Sequence, residues 1–170
     1  MTGNALVLGG GGLTGIAWET GLLYGLEGQG IRLRDAGLIV GTSAGSAVAA
    51  QIASSTSLEE LYQAQIDGKV NELPGRLGLL GMLKLLVAAR GTADERRSLA
   101  KVGKMALRAE TVAEPVRRAV IEQRLPVHAW PEKPLKIPAV NATTGEFTVF
   151  DNSSGVDLVD AVAASCAVPL

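Results

Sequence analysis

Residue types that would point to several other classes of protein are scarce in this chain of 170 residues. It has one cysteine and one histidine, so it can form neither an internal disulfide nor the Cys/His set of a structural zinc site. We therefore expect Cys166 to be a small buried residue. Aromatic residues make up 4% of the chain and apolar residues 47%, a balance typical of a globular domain with an aliphatic core.

An excess of charge of one sign is also missing. The formal net charge is −1 and basic residues are interspersed with acids, which argues against a nucleic-acid partner because such partners need clustered Lys and Arg. The N-terminus has no basic stretch followed by an apolar run, as a signal peptide would. The longest apolar run, residues 77–89, is broken by Lys84 and is shorter than the ~20 residues that cross a bilayer. We expect a cytoplasmic protein whose contact with membranes, if any, is peripheral.

The order of apolar runs predicts an α/β fold with a central, largely parallel sheet and helices on both faces, in three layers. Ala5–Leu8 and residues 38–40 are apolar runs stopped by glycine, as buried strands are, and helical patterns follow at residues 16–26 and Ala44–Ala53. This alternation favours a right-handed parallel βαβ unit. Later, residues 135–142 and 146–150 flank a short turn and predict a hairpin, and residues 157–167 predict a closing helix before Pro169.

The middle of the chain, residues 57–124, predicts a helical insertion within one domain spanning residues 1–170. Ser57 and Glu60 form a capping box that begins one helix, and residues 77–89 predict a second. Thr92 is expected to cap a third that runs through Leu107, and residues 114–125 predict a fourth with a proline in its first turn.

A serine motif lies between the second predicted strand and the alanine-rich helix. Gly41-Thr42-Ser43-Ala44-Gly45 matches G-x-S-x-G in the strand–turn–helix context that a nucleophile elbow requires. Gly41 and Gly45 lack the β-carbons that would clash in a tight turn, so Ser43 is expected in a strained conformation with its hydroxyl exposed. The helix that begins at Ala44 would direct its N-terminal N–H groups toward a developing oxyanion. The motif predicts that Ser43 is a catalytic nucleophile.

A glycine-rich loop follows the first strand, and two interpretations of it compete. Gly10, Gly11 and Gly12 can present converging backbone N–H groups to an anion, as an oxyanion hole does. Gly10, Gly12 and Gly15 also satisfy G-x-G-x-x-G, the dinucleotide-binding pattern, and Asp35 follows about twenty residues later. However, a ribose-binding acid belongs at the far end of the second strand, where this chain has the serine motif instead. The oxyanion hole is favoured, and a dinucleotide-binding protein remains an alternative.

Taken together, these two motifs resemble those of the patatin-like phospholipases. Residues 10–15 match the family's G-G-G-x-[RK]-G loop, with Thr14 in place of the basic residue, and Gly41–Gly45 match its elbow. Residues 139–143 look like its late central strand, and residues 163–169 look like its last helix before the catalytic acid. The resemblance implies a lipid acyl hydrolase that cleaves fatty-acyl esters with a Ser–Asp dyad and needs no metal or organic cofactor. Residues 77–87 would then be a candidate lid or acyl-chain wall, with an ordinary buried helix as the alternative.

The general base is the part of this machinery that the sequence does not supply. In the family, the resemblance implies, it is an aspartate in Asp-Gly-Gly or Asp-Gly-Ala after the last helix, which places it beyond Leu170. Asp67-Gly68 is expected to be a turn, Asp157 and Asp160 to cap a helix, Asp151 has no following glycine, and His128 is expected at the surface or in packing. We therefore expect a C-terminally incomplete domain that turns over poorly, and a non-catalytic acyl-binding module is the second alternative.

Overall fold

The computed structural model describes residues 3–68, 94–109 and 111–167. Four strands form one sheet in the order β1-β2-β3-β4: β1 Ala5–Leu8, β2 Leu38–Gly41, β3 Leu135–Val140 and β4 Phe147–Phe150. The first three strands are parallel, and β4 returns antiparallel to β3. The predicted α/β class, with a mostly parallel sheet flanked by helices and a hairpin at its end, is confirmed.

Helices connect the strands. They are α1 Gly12–Gly28, α2 Ala44–Ala53, α3 Leu58–Ile66, α4 Glu95–Ala106, α5 Glu114–Arg124 and α6 Leu158–Ser165, and a short 3₁₀ turn, Leu33–Asp35, precedes β2. The helix bounds predicted for α2 are confirmed. So is the capping box at α3, because Ser57 Oγ accepts from the Glu60 amide and the Glu60 carboxylate accepts from the Ser57 amide.

Several predicted boundaries were wrong, each for a local reason. Helix α1 begins at Gly12 rather than at residue 16, because the end of the glycine loop already forms its first turn. Helix α4 is capped by Asp94, whose carboxylate accepts from the Arg97 amide, whereas Thr92 and residues 77–89 lie outside the described residues. Strand β3 ends at Val140 because Asn141 Oδ1 accepts from the amides of the next turn. Helix α6 is shorter at both ends than predicted. Pro169, which was expected to follow it, lies outside the described residues.

The core lies between one face of the sheet and helix α2. Ile39 of β2 and Ile137 of β3 are fully buried on that face, and Ala47 and Val48 of α2 are fully buried against it. Because the side chain of alanine is small, the helix can approach the sheet closely without leaving voids. Helix α1 packs on α2 and on α3, and α6 packs on β3 and α5. On the other face of β1, Val7 is 70% exposed, so in the described part of the chain burial is one-sided there.

The turn between β2 and α2 packs directly on the carboxyl end of β1. The Thr42 amide donates to Leu8 O at 3.1 Å and the Gly45 amide donates to Gly9 O at 2.8 Å. A β-carbon on Gly45 would overlap the Leu8 carbonyl and lie 2.7 Å from Gly9 O. Both contacts are with backbone, which cannot move aside as a flexible side chain can. Only glycine allows this approach, which explains the second glycine of the motif.

We therefore predict that Gly45→Ala destabilises the protein by about 3 kcal/mol or more, because the added methyl group must push two backbone segments apart. Urea unfolding followed by circular dichroism would measure the change. Gly25→Ala is the matched control, since Gly25 lies inside α1 with nothing within 4 Å of an added β-carbon. The control should be neutral or more stable, by up to ~1 kcal/mol. Equal stability of the two variants would contradict the packing described for the elbow.

Candidate active site

Ser43 occupies a strained position at the point where β2 passes into α2. Its φ and ψ are 54° and −119°, and among the described residues it is the one non-glycine residue with positive φ. Such a conformation costs ~1–3 kcal/mol and persists only where the surroundings enforce it. The strained backbone predicted for Ser43 is therefore confirmed. The residue is half-buried, so its side chain is not sealed in the core.

Helix α6 holds the backbone of Ser43 in this conformation. The Ser43 amide donates to Ser165 Oγ at 3.0 Å, and the Ser165 hydroxyl in turn donates to the Pro138 carbonyl at 2.7 Å. The Ser43 carbonyl accepts from Ser46 Oγ at 2.6 Å and from the Cys166 thiol at 3.3 Å. Both polar groups of the Ser43 backbone are thus used by the protein. The Ser43 amide is consequently occupied and is not a donor for a ligand.

Cys166 was expected to be buried, but it is only partly buried behind the elbow. Burial raises the pKa of its thiol, with its hydrogen bonds and the nearby Arg117 and Arg124 acting in the opposite direction. A raised pKa keeps the group in the thiol form at neutral pH, where it donates to Ser43 O but is a poor nucleophile. The structure gives Cys166 a packing role.

The glycine loop lies beside Ser43. A β-carbon on Gly10 would be 3.7 Å from Ser43 Cβ, and one on Gly15 would be 3.3 Å from Ala44 Cβ. The loop and the first turn of α1 therefore touch the first turn of α2. The two glycine motifs are therefore adjacent in the fold.

Backbone donors next to Ser43 are left without protein partners. Gly10, Gly11 and Gly12 are exposed, and their N–H groups donate to no acceptor in residues 3–68, 94–109 and 111–167. The same holds for Ala44, the first residue of α2, whose N–H has no intrahelical partner by position. Unpaired N–H groups at two helix N-termini favour an anionic ligand. Chemically, the arrangement can stabilise negative charge that develops on an atom bonded to Ser43 Oγ.

The hydroxyl of Ser43 makes no hydrogen bond to any described side chain. His128 contacts the Glu122 carbonyl through Nε2 at 2.9 Å, in the segment that follows α5. Asp67 ends α3 before Gly68, whose φ is 64°, so the predicted Asp-Gly turn is confirmed. Asp151 accepts hydrogen bonds from the serines of its own loop, and these lower the pKa of its carboxyl.

Asp157 and Asp160 lie at the start of α6, as predicted, but neither side chain makes the expected capping hydrogen bond. Asp157 stands at the N-cap position of α6, but its side chain makes no capping hydrogen bond. Asp160 instead accepts from Arg118 Nε at 2.6 Å, an ion pair that joins α6 to α5. A partner on a neighbouring helix has therefore replaced the local backbone partner. Asp35 likewise pairs with Arg32 at 2.9 Å in the turn before β2.

Sequence reasoning missed two features of this region. Glu19 is buried beneath the glycine loop, and its carboxylate accepts from the Gly9 amide at 2.9 Å. The buried positions of α1 are Ile16, Glu19, Thr20 and Leu23, so helical spacing alone could have placed an acid on the apolar face. The second feature is a cavity of about 780 Å³ walled by β3, α4, α5 and α6. Its wall combines distant parts of the chain, which no local pattern reveals.

The described residues thus form an α/β fold with a strained elbow serine beside a glycine loop. The family model described as "Patatin-like phospholipase" matches residues 6–170 of this chain. The chain therefore belongs to the patatin-like phospholipase family. A search of curated proteins found no match.

A solved structure shows the same fold. A structure of full-length SpcU in complex with full-length ExoU, from the type III secretion system of Pseudomonas aeruginosa, is similar with a TM-score of 0.51 and 21% identity, and the match covers 98% of this chain and 38% of that chain. A structure of the type III effector protein ExoU is similar at 22% identity with a TM-score of 0.48, covering 97% and 39%. The chain thus spans about two fifths of the length of these structures.

The hydroxyl of Ser165 is predicted to matter for stability as well as for the site. Ser165→Ala would leave the Ser43 amide and the Pro138 carbonyl without their partner, at a cost of about 1–3 kcal/mol in the free energy of unfolding. Urea unfolding would measure it, with Ser153→Ala as the control because Ser153 bonds to Asp151 in an exposed loop. A loss no greater than that of the control would mean that Ser165 does not hold the elbow.

Proposed function

We propose that this chain carries the nucleophile and the oxyanion hole of a serine lipid acyl hydrolase, which cleaves fatty-acyl esters through an acyl-enzyme at Ser43. The observation that carries the proposal is the strained, accessible Ser43 beside unpaired glycine amides. Membership of a phospholipase family supports the lipid ester as the substrate class.

In the proposed reaction, Ser43 Oγ attacks the ester carbonyl and gives up its proton to a base. The N–H groups of Gly10, Gly11, Gly12 and Ala44 receive the negative charge on the former carbonyl oxygen. The intermediate collapses, the alcohol leaves with the proton, and a fatty-acyl ester of Ser43 remains. Water then attacks this ester with the same base and releases the fatty acid. Losing one such donor typically costs ~3 kcal/mol of barrier.

The proposed base is the aspartate that the family resemblance implies beyond Leu170. This assignment is supported by the engagement of the described candidates elsewhere: Asp160 with Arg118, Asp151 with its own loop, and His128 with the Glu122 carbonyl. A Ser–Asp dyad needs only one such carboxylate because it serves both half-reactions in turn.

The cavity beside the elbow is the proposed acyl-chain site. Thr42, which precedes Ser43, and Ser165, which bonds to its amide, both line it. Its volume of about 780 Å³ lies in the range of small-molecule sites. Most of the remaining wall is apolar and comes from Leu99, Val102, Val140, Phe147, Ala163 and Ala164. Residues 77–87, the candidate lid or acyl-chain wall, lie outside the described residues.

Contact with a lipid surface is proposed to be peripheral. Leu107 and Phe147, at the cavity, are each 66% exposed, so apolar surface reaches solvent where a lipid would enter. Within the described residues, no helix combines the length and the apolar character needed to cross a bilayer.

A long-chain alkyl fluorophosphonate is predicted to label Ser43 of the 170-residue chain, because the amides that stabilise an acyl oxyanion also stabilise its phosphonyl counterpart. Labelling should be slow, since the proposed base lies outside this chain. Peptide mapping by mass spectrometry would locate the label. Ser43→Ala should lose it and Ser153→Ala should keep it. Unlabelled wild-type protein that still binds fatty acid would favour a non-catalytic acyl-binding module, and tight binding of NADH would favour the dinucleotide alternative. Either result would contradict the proposal.

Turnover by the 170-residue chain alone is expected to be slow, because the proposed base lies outside it. Hydrolysis of a p-nitrophenyl ester at a full enzymatic rate, abolished by Ser43→Ala, would show instead that the base lies within residues 1–170.

Chain-length preference tests the acyl site separately. Ala164→Phe would fill part of the cavity, so labelling by a hexadecyl fluorophosphonate should slow by about tenfold or more relative to an ethyl one, since ~1–3 kcal/mol accompanies a misfit in an apolar pocket. Ala129→Phe is the control, because Ala129 is exposed and does not line the cavity. If acyl chains bind elsewhere, both variants should keep the wild-type ratio of hexadecyl to ethyl fluorophosphonate labelling rates.

A further inference from the structure

We propose that Glu19 is a positioning residue for the oxyanion hole, holding the glycine loop against the elbow through its hydrogen bond to Gly9 and acting with a neutral carboxyl group. The inference rests on the function proposed for Ser43 and names a further residue on which that function depends.

Gly9 is held from both sides. Glu19 Oε1, on α1, accepts from the Gly9 amide at 2.9 Å, and the Gly9 carbonyl accepts from the Gly45 amide of α2 at 2.8 Å. Gly9 is bonded directly to Gly10, the glycine that approaches Ser43. A shift of Gly9 would therefore move the first proposed oxyanion donor relative to the serine.

The loop needs such an anchor because it cannot hold itself by packing. Four successive glycines have no side chains and the widest choice of backbone conformations, so ordering them costs more entropy than ordering any other residues. Gly9 to Gly12 are all exposed. Glu19 is only 6% exposed, and its carboxyl group supplies a fixed acceptor on the buried side of the loop.

The second oxygen of Glu19 is what argues for the neutral form. Oε2 is buried and has no hydrogen-bond partner among the described residues. An ionised carboxylate in that position would hold a negative charge with one of its oxygens unsatisfied, which is costly in a buried site. Burial raises the pKa of Glu19, and only its bond to Gly9 acts to lower it.

No described cation faces this carboxyl group from the elements that pack on α1. Helix α2 has no titratable side chain. In the 3₁₀ turn before β2, Arg34 binds carbonyls at and after the end of α2, and Asp35 pairs with Arg32. The titratable side chains of α3 are Glu59, which is exposed, Glu60, which binds Ser57, and Tyr62, which stacks on Tyr24.

The protonation state has a sign that can be tested. A neutral Glu19 is compatible with an anion at the glycine amides, whereas an ionised one opposes it. Because the pKa is raised, the neutral form persists to higher pH than for an exposed glutamate and is lost as pH rises through that raised value. Ionisation of Glu19 should therefore slow the reaction of Ser43 as the pH rises. Glutamine cannot ionise, so Glu19→Gln should remove this effect.

The test compares wild type, Glu19→Gln and Glu19→Leu by the rate of fluorophosphonate labelling at Ser43 from pH 5 to 9. Glutamine keeps an acceptor for the Gly9 amide, so at pH 5 it should label within about threefold of wild type. Leucine removes the acceptor and should label about 100-fold more slowly, the cost of a misplaced site. The ratio of wild type to Glu19→Gln should fall as pH rises. Glu27→Gln, at the other end of α1, is the control and should give a constant ratio.

Each outcome bears on one of the two proposals. Labelling of wild-type Ser43 with a flat wild-type to Glu19→Gln ratio would overturn the neutral-carboxyl role, and folded Glu19→Leu labelling at the wild-type rate would overturn the positioning role. Should Glu19→Leu fail to fold by circular dichroism, a Glu19→Gln variant that is slow at every pH would equally count against the inference. Absence of any labelling at Ser43 in wild type would instead defeat the proposed function, and this inference with it.

Discussion

One backbone hydrogen bond, from the Gly45 amide to the Gly9 carbonyl, joins the two glycine-rich segments on which the site depends. Its length of 2.8 Å is reached only because Gly45 lacks a β-carbon that would overlap β1. The approach brings the loop after β1 beside the turn after β2, at the carboxyl edge of adjacent parallel strands. In open α/β sheets that edge is where ligands bind. The site is therefore a consequence of strand order combined with the missing β-carbon of Gly45.

Around this contact, backbone amides face the candidate site, and side chains support the backbone that carries them. Among the described residues, the amides of Gly10, Gly11, Gly12 and Ala44 have no partner, and none of these donors depends on side-chain identity. The supporting groups are buried or half-buried: Ser165 and Cys166 on the strained serine, and Glu19 under the loop. Backbone donors held from behind need little reorganisation when charge develops, which is the condition for electrostatic stabilisation. Support from these side chains explains how a loop of exposed glycines can keep a defined conformation.

Local patterns were sufficient for the elements and for the position of the elbow. The apolar runs, the capping box at Ser57 and the G-x-S-x-G context each depend on neighbouring residues, so the strands, α2, α3 and the strain at Ser43 could be predicted. Long-range partners could not. Asp160 binds Arg118 across two helices rather than its own helix end, and Ser165 reaches Ser43 from the other end of the chain. Glu19 could be predicted only in part. Its helical spacing with Ile16 and Leu23 places it on the apolar face of α1, but this position does not predict which group its carboxyl would bind.

The sequence separation of these supports has a consequence for how the site is assembled. Glu19 and Gly9 are ten residues apart, so that contact closes a short loop at low entropic cost. The link from Ser165 to Ser43 spans 122 residues and needs α6 to be in place. Local contacts generally form more readily than distant ones. The contact beneath the glycine loop thus forms within the N-terminal residues, whereas the hydrogen bond from Ser43 to Ser165 forms only when α6 packs against β3.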